Sequence, residues 1–302
     1  GLWCAECWQR LGQPSPVHLV ELGPGRGTLM ADALRAARMV PGCRESLRVH
    51  LVEVSQNLRT MQADTLAGAE PTWHADITTL PDAPLLVIAN EFFDALPIRQ
   101  FEQTPEGWCE RLVGHDPAAD RLAFALTHPN AEATAHVPEH LRDAAPGTVV
   151  EVCPGGRAIA ESLGRAIAAH GGAAIVVDYG DHQPDGRPTL QAVRQHARAD
   201  VLTEPGSADL TAHVDFGALA AAFRRGGAAP HGPVTQATLL NALGIGERAT
   251  ILQRNANPRQ AEAVAAAHRR LTAPDQMGEL FKALAATPPR FGVPAGFPEQ
   301  VS

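Results

Sequence analysis

Val17-His18-Leu19-Val20-Glu21-Leu22-Gly23-Pro24-Gly25-Arg26-Gly27-Thr28-Leu29 is the stretch on which the fold turns. Its first six residues are apolar apart from His18 and Glu21, the pattern of a parallel strand covered on both faces. Gly23, Gly25 and Gly27 follow with one residue between each pair. Glycine admits positive φ and lets the backbone come close to a ligand. From Thr28 onward, Leu29, Met30, Ala33, Leu34 and Ala37 recur at helical spacing, so the turn feeds a helix whose first N–H groups are free to face the loop. Strand, glycine turn and helix in this order predict an α/β fold with a binding loop at the carboxyl end of a strand.

Glycine spacing bears on the ligand. A dinucleotide fingerprint, G-x-G-x-x-G, needs a third glycine where this chain has Thr28 (counting from Gly23) or Met30 (counting from Gly25). The spacing here is G-x-G-x-G, and Glu21 stands two residues before the first glycine. A carboxylate there repels a pyrophosphate and suits a ligand with an amine, hydroxyls and a sulfonium charge, which describes S-adenosyl-L-methionine. On these residues alone, a nicotinamide cofactor and a tight turn that holds nothing stay open.

The rest of the chain sets bounds. At 302 residues it has room for one large α/β domain with an insertion or for two small domains. With 45% hydrophobic and 19% charged residues it is an ordinary globular chain. A net charge of −8 without blocks of like charge argues against a nucleic-acid backbone or an anionic membrane as main partner. Nothing approaches the length of a transmembrane run or the pattern of a signal peptide. Five cysteines, an odd count, fit a reducing compartment. Cys4 and Cys7 form a C-x-x-C inside an expected helix. A second such pair, which a zinc site would need, is missing, so they read as packed thiols and no metal is expected.

Taken in order, Leu47 to Val54 predicts a second strand with Glu53 near its end, where a carboxylate can accept both ribose hydroxyls of an adenosine. Ser55 predicts an N-cap for a helix to about Leu66. Thr72 to Ile77 predicts a short strand and its exit, with Asp76 placed either to accept from an adenine amine or to serve as a turn residue. Leu85 to Asn90 predicts a buried strand ending in Asn90-Glu91-Phe92-Phe93-Asp94-Ala95-Leu96-Pro97. In open α/β sheets ligands sit outside the carboxyl ends of strands, which puts Asn90, Glu91 and Asp94 beside the glycine loop, with Phe92 and Phe93 excluding water. The competing reading makes Asp94 a cap and Glu91 exposed. From residue 98 to 147, short extended runs alternate with turn residues, the pattern of a β-hairpin insertion or cap within a single 1–302 domain. Ala173 to Val177 predicts a fifth buried strand, closed by Asp178-Tyr179-Gly180. Tyr179, the only tyrosine, is either a pocket residue or a packed wall, and His213 is either a base or a structural histidine. Ala228 to Gly232 and Leu280 to Leu284 predict two further strands, the last at an edge.

With these residues in place, the chain resembles the family of the mitochondrial complex I assembly factor 7 and MidA, S-adenosylmethionine-dependent methyltransferases. The resemblance rests on Val20-Glu-Leu-Gly-Pro-Gly-Arg-Gly-Thr-Leu-Met30, Leu51-Val-Glu-Val54, Ala89-Asn-Glu-Phe-Phe-Asp-Ala-Leu-Pro97, Val177-Asp-Tyr-Gly180, Thr189-Leu-Gln191 and Asp209-Leu-Thr-Ala-His-Val-Asp-Phe216. It implies a class I methyltransferase fold (Rossmann-like, a seven-stranded, mostly parallel sheet with one antiparallel edge strand) with a β-rich insertion. It implies S-adenosyl-L-methionine as cofactor and, for the mitochondrial members, methylation of an arginine on a respiratory complex I subunit. By position, Glu21, Gly23, Gly25 and Gly27 would shape the cofactor loop, Glu53 would hold the ribose, and Asn90 and Glu91 would face the methyl-transfer site. The family's N-terminal region, with a Gly-Asp-Phe and a Thr-x-Pro-Glu type segment closing over the cofactor, would precede Gly1, and Gln56 stands where proline is expected. The implied compartment is the cytoplasm in a bacterium and the mitochondrial matrix in a eukaryote, and self-association is left open.

A guanidinium is cationic and its lone pairs are delocalised. A carboxylate that grips two of its nitrogens localises charge there and leaves the third to attack, which makes Glu91 the first catalytic candidate and Asp94 the second. The alternatives are a methyltransferase-fold protein that holds a partner without turning over, and a nicotinamide dehydrogenase.

Overall fold

The computed structural model describes residues 1–195 and 197–299; His196 and the last three residues of the Pro/Gly-rich tail lie outside them. The elements begin with α1 (Leu2–Arg10), β1 (Val17–Leu22), α2 (Thr28–Ala37), α3 (Cys43–Ser46), β2 (Leu47–Val52), α4 (Gln56–Thr65), β3 (Thr72–His74) and β4 (Leu85–Asn90). They continue with β5 (Arg99–Thr104), β6 (Gly107–Asp116), β7 (Arg121–Leu126), α5 (Ala131–His136), β8 (Val149–Val152), α6 (Pro154–His170) and β9 (Gly172–Asp181). Next come β10 (Gln191–Arg194), β11 (Ala197–Ala199), β12 (Asp209–Thr211), β13 (Val214–Asp215), α7 (Phe216–Arg225) and β14 (Ala229–Thr235). The last are α8 (Gln236–Ala242), α9 (Ile245–Arg254), α10 (Pro258–Thr272), α11 (Met277–Leu280) and β15 (Phe281–Thr287).

Two compact units emerge. The first comprises Gly1–Phe92, Ala158–Tyr179 and Phe216–Ser302, and the second Phe93–Arg157 and Gly180–Asp215. The first unit carries the sheet β14-β15-β9-β4-β1-β2-β3. Strands β3, β2, β1, β4 and β9 pair in parallel, and β15 runs antiparallel between β9 and β14. This corrects the expected edge position of the last strand: β15 is internal and β14 is the edge. Ala283, Leu284, Ala285 and Ala286 are all fully buried, as an internal strand demands. Their small side chains give a weak sequence signal.

Val17, Leu19 and Glu21 point to one face of β1. There Trp3, Cys4, Cys7 and Trp8 of α1 and Met30, Ala33, Leu34 and Ala37 of α2 close an apolar layer over Val17 and Leu19 of β1 and over Val49 and Leu51 of β2. A side chain the size of Leu19 or Met30 contributes about 1.5–3 kcal/mol when buried, an upper figure because the unfolded chain is itself compact. Cys4 and Cys7 are buried free thiols of this layer, and burial raises the pKa of both.

The opposite face of β1, β2 and β3 holds a hydrogen-bonded row of imidazoles. His18 Nδ1 lies 2.7 Å from His50 Nε2, His50 Nδ1 lies 2.9 Å from His74 Nε2, and His74 Nδ1 lies 2.7 Å from Thr79 Oγ1. Burial is the main cause of a lowered pKa at all three histidines, and His50 is held down at about 4, with its two neighbours adding to the effect.

The second unit contains two antiparallel sheets, β7-β6-β5-β8 and β11-β10-β12. Phe101, Trp108, Val137, Val150 and Val152 form its core. The expected 98–147 insertion lies within this unit, which reaches further in sequence. Glu151, the one acid in β8, ties the segments together. It accepts from Gln100 Nε2 at 2.7 Å, from the Leu190 and Thr189 amides at 3.0 Å each, and from the Thr189 hydroxyl.

The imidazole row sets an acid limit. The unfolded chain takes up a proton at His50 near pH 6.5 and the folded chain only near 4, so stability is full above 6.5 and declines as pH falls to 4. The slope from one such group is at most about 1.4 kcal/mol per pH unit. Urea midpoints measured from pH 7 to 4 will fall less steeply in His50→Gln than in the wild type; equal slopes would rule out the row as the cause.

Candidate functional site

Parallel register brings the site together. Leu22 of β1 stands opposite Val52 of β2 and Ala89 of β4. The next residues along the three strands are Gly23, Glu53 and Asn90, which therefore reach the same edge of the sheet. Gly23 and Gly25 have φ of +61° and +52°, values that favour glycine. A Cβ on Gly23 would come within 3.0 Å of the Phe92 ring, so the turn after β1 and the turn after β4 pack directly on each other. A Cβ on Gly25 would meet nothing within 4 Å, so the loop borders open space there. The N-cap Gly27, also at positive φ, delivers the chain into α2.

Glu21 is 3% exposed at the end of β1. It accepts from the Met30 backbone, while Oε2 is buried with no hydrogen-bond partner. The apolar layer built by α1 and α2 pushes its pKa up to about 8, the Met30 bond opposing the shift only partly. A buried carboxyl with a spare oxygen is either protonated or matched by a cation.

Glu53, one residue past β2, is 8% exposed. Oε1 accepts the Ser55 amide at 2.8 Å and Oε2 accepts Gln62 Nε2 at 3.2 Å. Each oxygen keeps a further lone-pair site, enough for a pair of vicinal hydroxyls. The expected cap is present: Ser55 Oγ accepts the Leu58 amide and starts α4. Asp76 is exposed just beyond β3, and its Oδ1 takes the Thr78 amide at 2.7 Å and the Thr78 hydroxyl. These bonds hold its carboxyl below the ordinary range. It fills a turn role through Oδ1, and Oδ2 takes no part in those two bonds.

Beyond β4, Asn90 Nδ2 donates to Glu91 Oε1 at 3.3 Å. Glu91 has a φ of +50° and is exposed, which corrects the expectation of a carboxylate enclosed by Phe92 and Phe93. The left-handed turn is the cause: it redirects the chain at Glu91, whose amide donates to Val177 O at 3.0 Å. The Phe92 amide donates to Asp178 Oδ2 at 3.2 Å, and Asp178 is fully buried at the carboxyl end of β9. Sequence reasoning did not single out Asp178 or Gln62; each is a polar residue where its element turns inward, a signal that shows only once packing is known. Asp94 belongs to the second unit, buried at 6% exposure, with its carbonyl accepting the Ala212 amide. The structure thus brings Asn90 and Glu91 to the sheet edge that carries the glycine loop, and Asp94 belongs to the second unit. Tyr179 is half-buried and packs edge-on against Phe281 at 5.5 Å, the wall role. His213 is in the second unit, its amide on Thr189 Oγ1 and its Nδ1 3.4 Å from Asp181 Oδ2. Among the described residues, no cluster of three His, Cys, Asp or Glu could hold a metal ion, and no helix is long and apolar enough to cross a membrane.

Strand order β3-β2-β1-β4-β9-β15-β14, antiparallel only at β15, with a glycine loop after β1 and an acid after β2, defines the class I S-adenosylmethionine-dependent methyltransferase fold. A family profile described as "Putative S-adenosyl-L-methionine-dependent methyltransferase" matches residues 1–234, and the chain belongs to that family. The Xenopus laevis protein named "Protein arginine methyltransferase NDUFAF7, mitochondrial" is 36% identical over 314 residues, covering 95% of this chain and 71% of its own. Its human namesake is 36% identical over 315 residues, with 95% and 70% covered. A solved Burkholderia thailandensis protein bound to S-adenosyl-homocysteine is 29% identical, with a TM-score of 0.76 over 94% of this chain and 74% of that one. A second structure from that organism, 30% identical, has a TM-score of 0.81 over 99% and 80%. The cofactor is S-adenosyl-L-methionine, and the orphan oxygen of Glu21 and the open space at Gly25 fit a ligand that carries an ammonium and needs backbone room.

Burial of Glu21 has a measurable cost. Its folded pKa of about 8 exceeds the unfolded value of 4.5, so its contribution to stability is complete below pH 4.5 and is lost as pH rises through 8. In cofactor-free protein, Glu21→Gln will remove this decline and be the more stable form at pH 8. Chemical denaturation at pH 5, 6.5 and 8 measures it, and a constant difference from the wild type would refute the assignment.

Proposed function

We propose that this chain transfers a methyl group from S-adenosyl-L-methionine to an arginine side chain of a protein, with a respiratory complex I subunit as the acceptor. The observation that carries the reading is Glu91: an exposed carboxylate at the end of a central strand, in a backbone conformation that costs a non-glycine residue about 1–3 kcal/mol. Residues held this way cluster where a side chain must be aimed. The names of the Xenopus and human relatives support arginine as the acceptor.

Bound cofactor would supply an electrophilic methyl on a sulfonium, whose sulfur leaves as the thioether of S-adenosyl-homocysteine while the attacking nitrogen gives up a proton to water. The protein's own part is placement, since a nucleophile has to be held about 3–3.5 Å from the carbon it attacks. Glu91 grips two guanidinium nitrogens and leaves the third free, and Asn90 fixes the Glu91 carboxylate through its 3.3 Å bond. Glu21, Gly23, Gly25 and Gly27 hold the methionine end, Glu53 the ribose and Asp76 the adenine amine. The reaction runs in the bacterial cytoplasm or, in a eukaryote, in the mitochondrial matrix.

Incubation with the cofactor and arginine peptides from complex I subunits, read by mass spectrometry, will show methylation that lysine-substituted peptides lack. Glu91→Gln will bind S-adenosyl-homocysteine as the wild type does and lose about 10²–10³-fold in rate. Unchanged turnover would remove Glu91 from the reaction. Cofactor binding without methylation of any acceptor would instead describe a holding protein.

A further inference from the structure

Helix α4 docks in an unusual way. Its apolar residues Leu58 and Met61 stay partly or largely exposed, while Gln62 is 0% exposed. A buried amide costs free energy unless its polar atoms are paired. Here all are. Trp73 Nε1 on β3 donates to Gln62 Oε1 at 2.8 Å. Gln62 Nε2 donates to the Gly25 carbonyl at 2.8 Å and to Glu53 Oε2 at 3.2 Å.

The partners leave one orientation. An indole N–H only donates, so Gln62 Oε1 must face Trp73 and the amide nitrogen must face Gly25 and Glu53. A carbonyl and a carboxylate only accept, so both amide hydrogens are used. The glycine loop after β1 and the acid after β2 are thereby tied to one rigid group whose direction is set from β3. Gly27 packs the same way: a Cβ there would lie 3.5 Å from Gln62 Cα and Cγ.

We propose that Gln62 is a positioning residue for the cofactor, holding the Gly25 loop and aiming the Glu53 carboxylate at the ribose hydroxyls. This rests on the reading of Glu53 as the ribose acceptor. Gln62 touches the two groups that meet the ligand and acts through them. Its removal leaves the Glu53 carboxylate held by the Ser55 amide alone, with Oε2 unrestrained, and lets the Gly25 peptide tilt, so the ribose end loses part of its preformed acceptor. A carboxylate in its place adds repulsion against Glu53 and the Gly25 carbonyl.

The test titrates the full chain calorimetrically with S-adenosyl-homocysteine and with its 2′-deoxyribose analogue. Wild type will prefer the hydroxylated ligand. Gln62→Leu will weaken it by about tenfold, the range of one hydrogen bond to a charged group, and will lose most of the preference. Gln62→Glu will weaken it further. Trp73→Phe removes only the donor that orients the amide and will give a smaller loss in the same direction; it carries the test if the Gln62 variants fail to fold. A purely structural role would weaken both ligands equally and leave their ratio unchanged, and that result, or affinity within twofold of wild type in folded variants, overturns the proposal. Glu53→Gln separates the two failures. If it abolishes the preference while Gln62→Leu and Trp73→Phe keep it, Gln62 alone is misassigned. If Glu53→Gln keeps the preference, the ribose reading falls and the proposal with it.

Discussion

The parallel register of β1 between β2 and β4 is the constraint on which the site depends. Leu22 lies level with Val52 and Ala89, so Gly23, Glu53 and Asn90 leave the sheet at one height. A slip of one residue would turn Glu21 to the opposite face and bring His18 under α1 and α2. The apolar layer of Trp3, Trp8, Met30 and Leu34 forbids that, because it would bury an imidazole without its partners. The core beneath the sheet therefore sets the position of the binding loop above its edge.

Polar groups are buried where the chain leaves this sheet, and each has a different remedy. Asp178 and Glu53 accept backbone and side-chain donors. The three histidines bond to one another, and burial lowers the pKa of each. Glu21 has one donor and one orphan oxygen, and its raised pKa measures what is lacking. A group left in that state in the free protein is stabilised most by a ligand that brings a positive charge to it. On the proposed reading of Glu21 as a cofactor residue, stability and affinity meet at this one carboxyl: a neutral amide would relieve the free fold above pH 4.5 and remove the carboxylate that would meet the ligand.

Much of this was legible before the coordinates. β1, the glycine turn and α2 announce themselves through an apolar run followed by a change of period, and β2, β4 and β9 through continuous hydrophobic stretches. The Ser55 cap and the acid at Glu53 follow from local rules. β15 was harder, because alanine carries little hydrophobic signal although four consecutive residues are fully buried. Gln62 was invisible for a different reason. In a helix whose apolar residues remain partly exposed, nothing in the periodicity marks a glutamine as the buried contact, since its burial is justified only by three partners from other elements. Asp178 is legible as an acid at a strand end, but its task of holding the Phe92 amide depends on the neighbouring strand.

In the proposed reaction, exposure and function need not conflict at Glu91. A carboxylate sealed among Phe92 and Phe93 would be driven toward protonation, and a protonated acid cannot compete for a guanidinium. An exposed one stays accessible to a guanidinium but rotates freely, and so places its ligand poorly. The structure meets both demands with the backbone rather than with burial. The Glu91 amide is pinned to Val177 and the next amide to Asp178, and between them the chain is held at φ +50°. Asn90 then restrains the carboxylate from its own side. The strain is local and small against the pairing of β4 with two neighbours, so the sheet tolerates it. What it obtains is an accessible carboxylate on a backbone held in one direction, the placement that the proposed grip on a planar guanidinium requires.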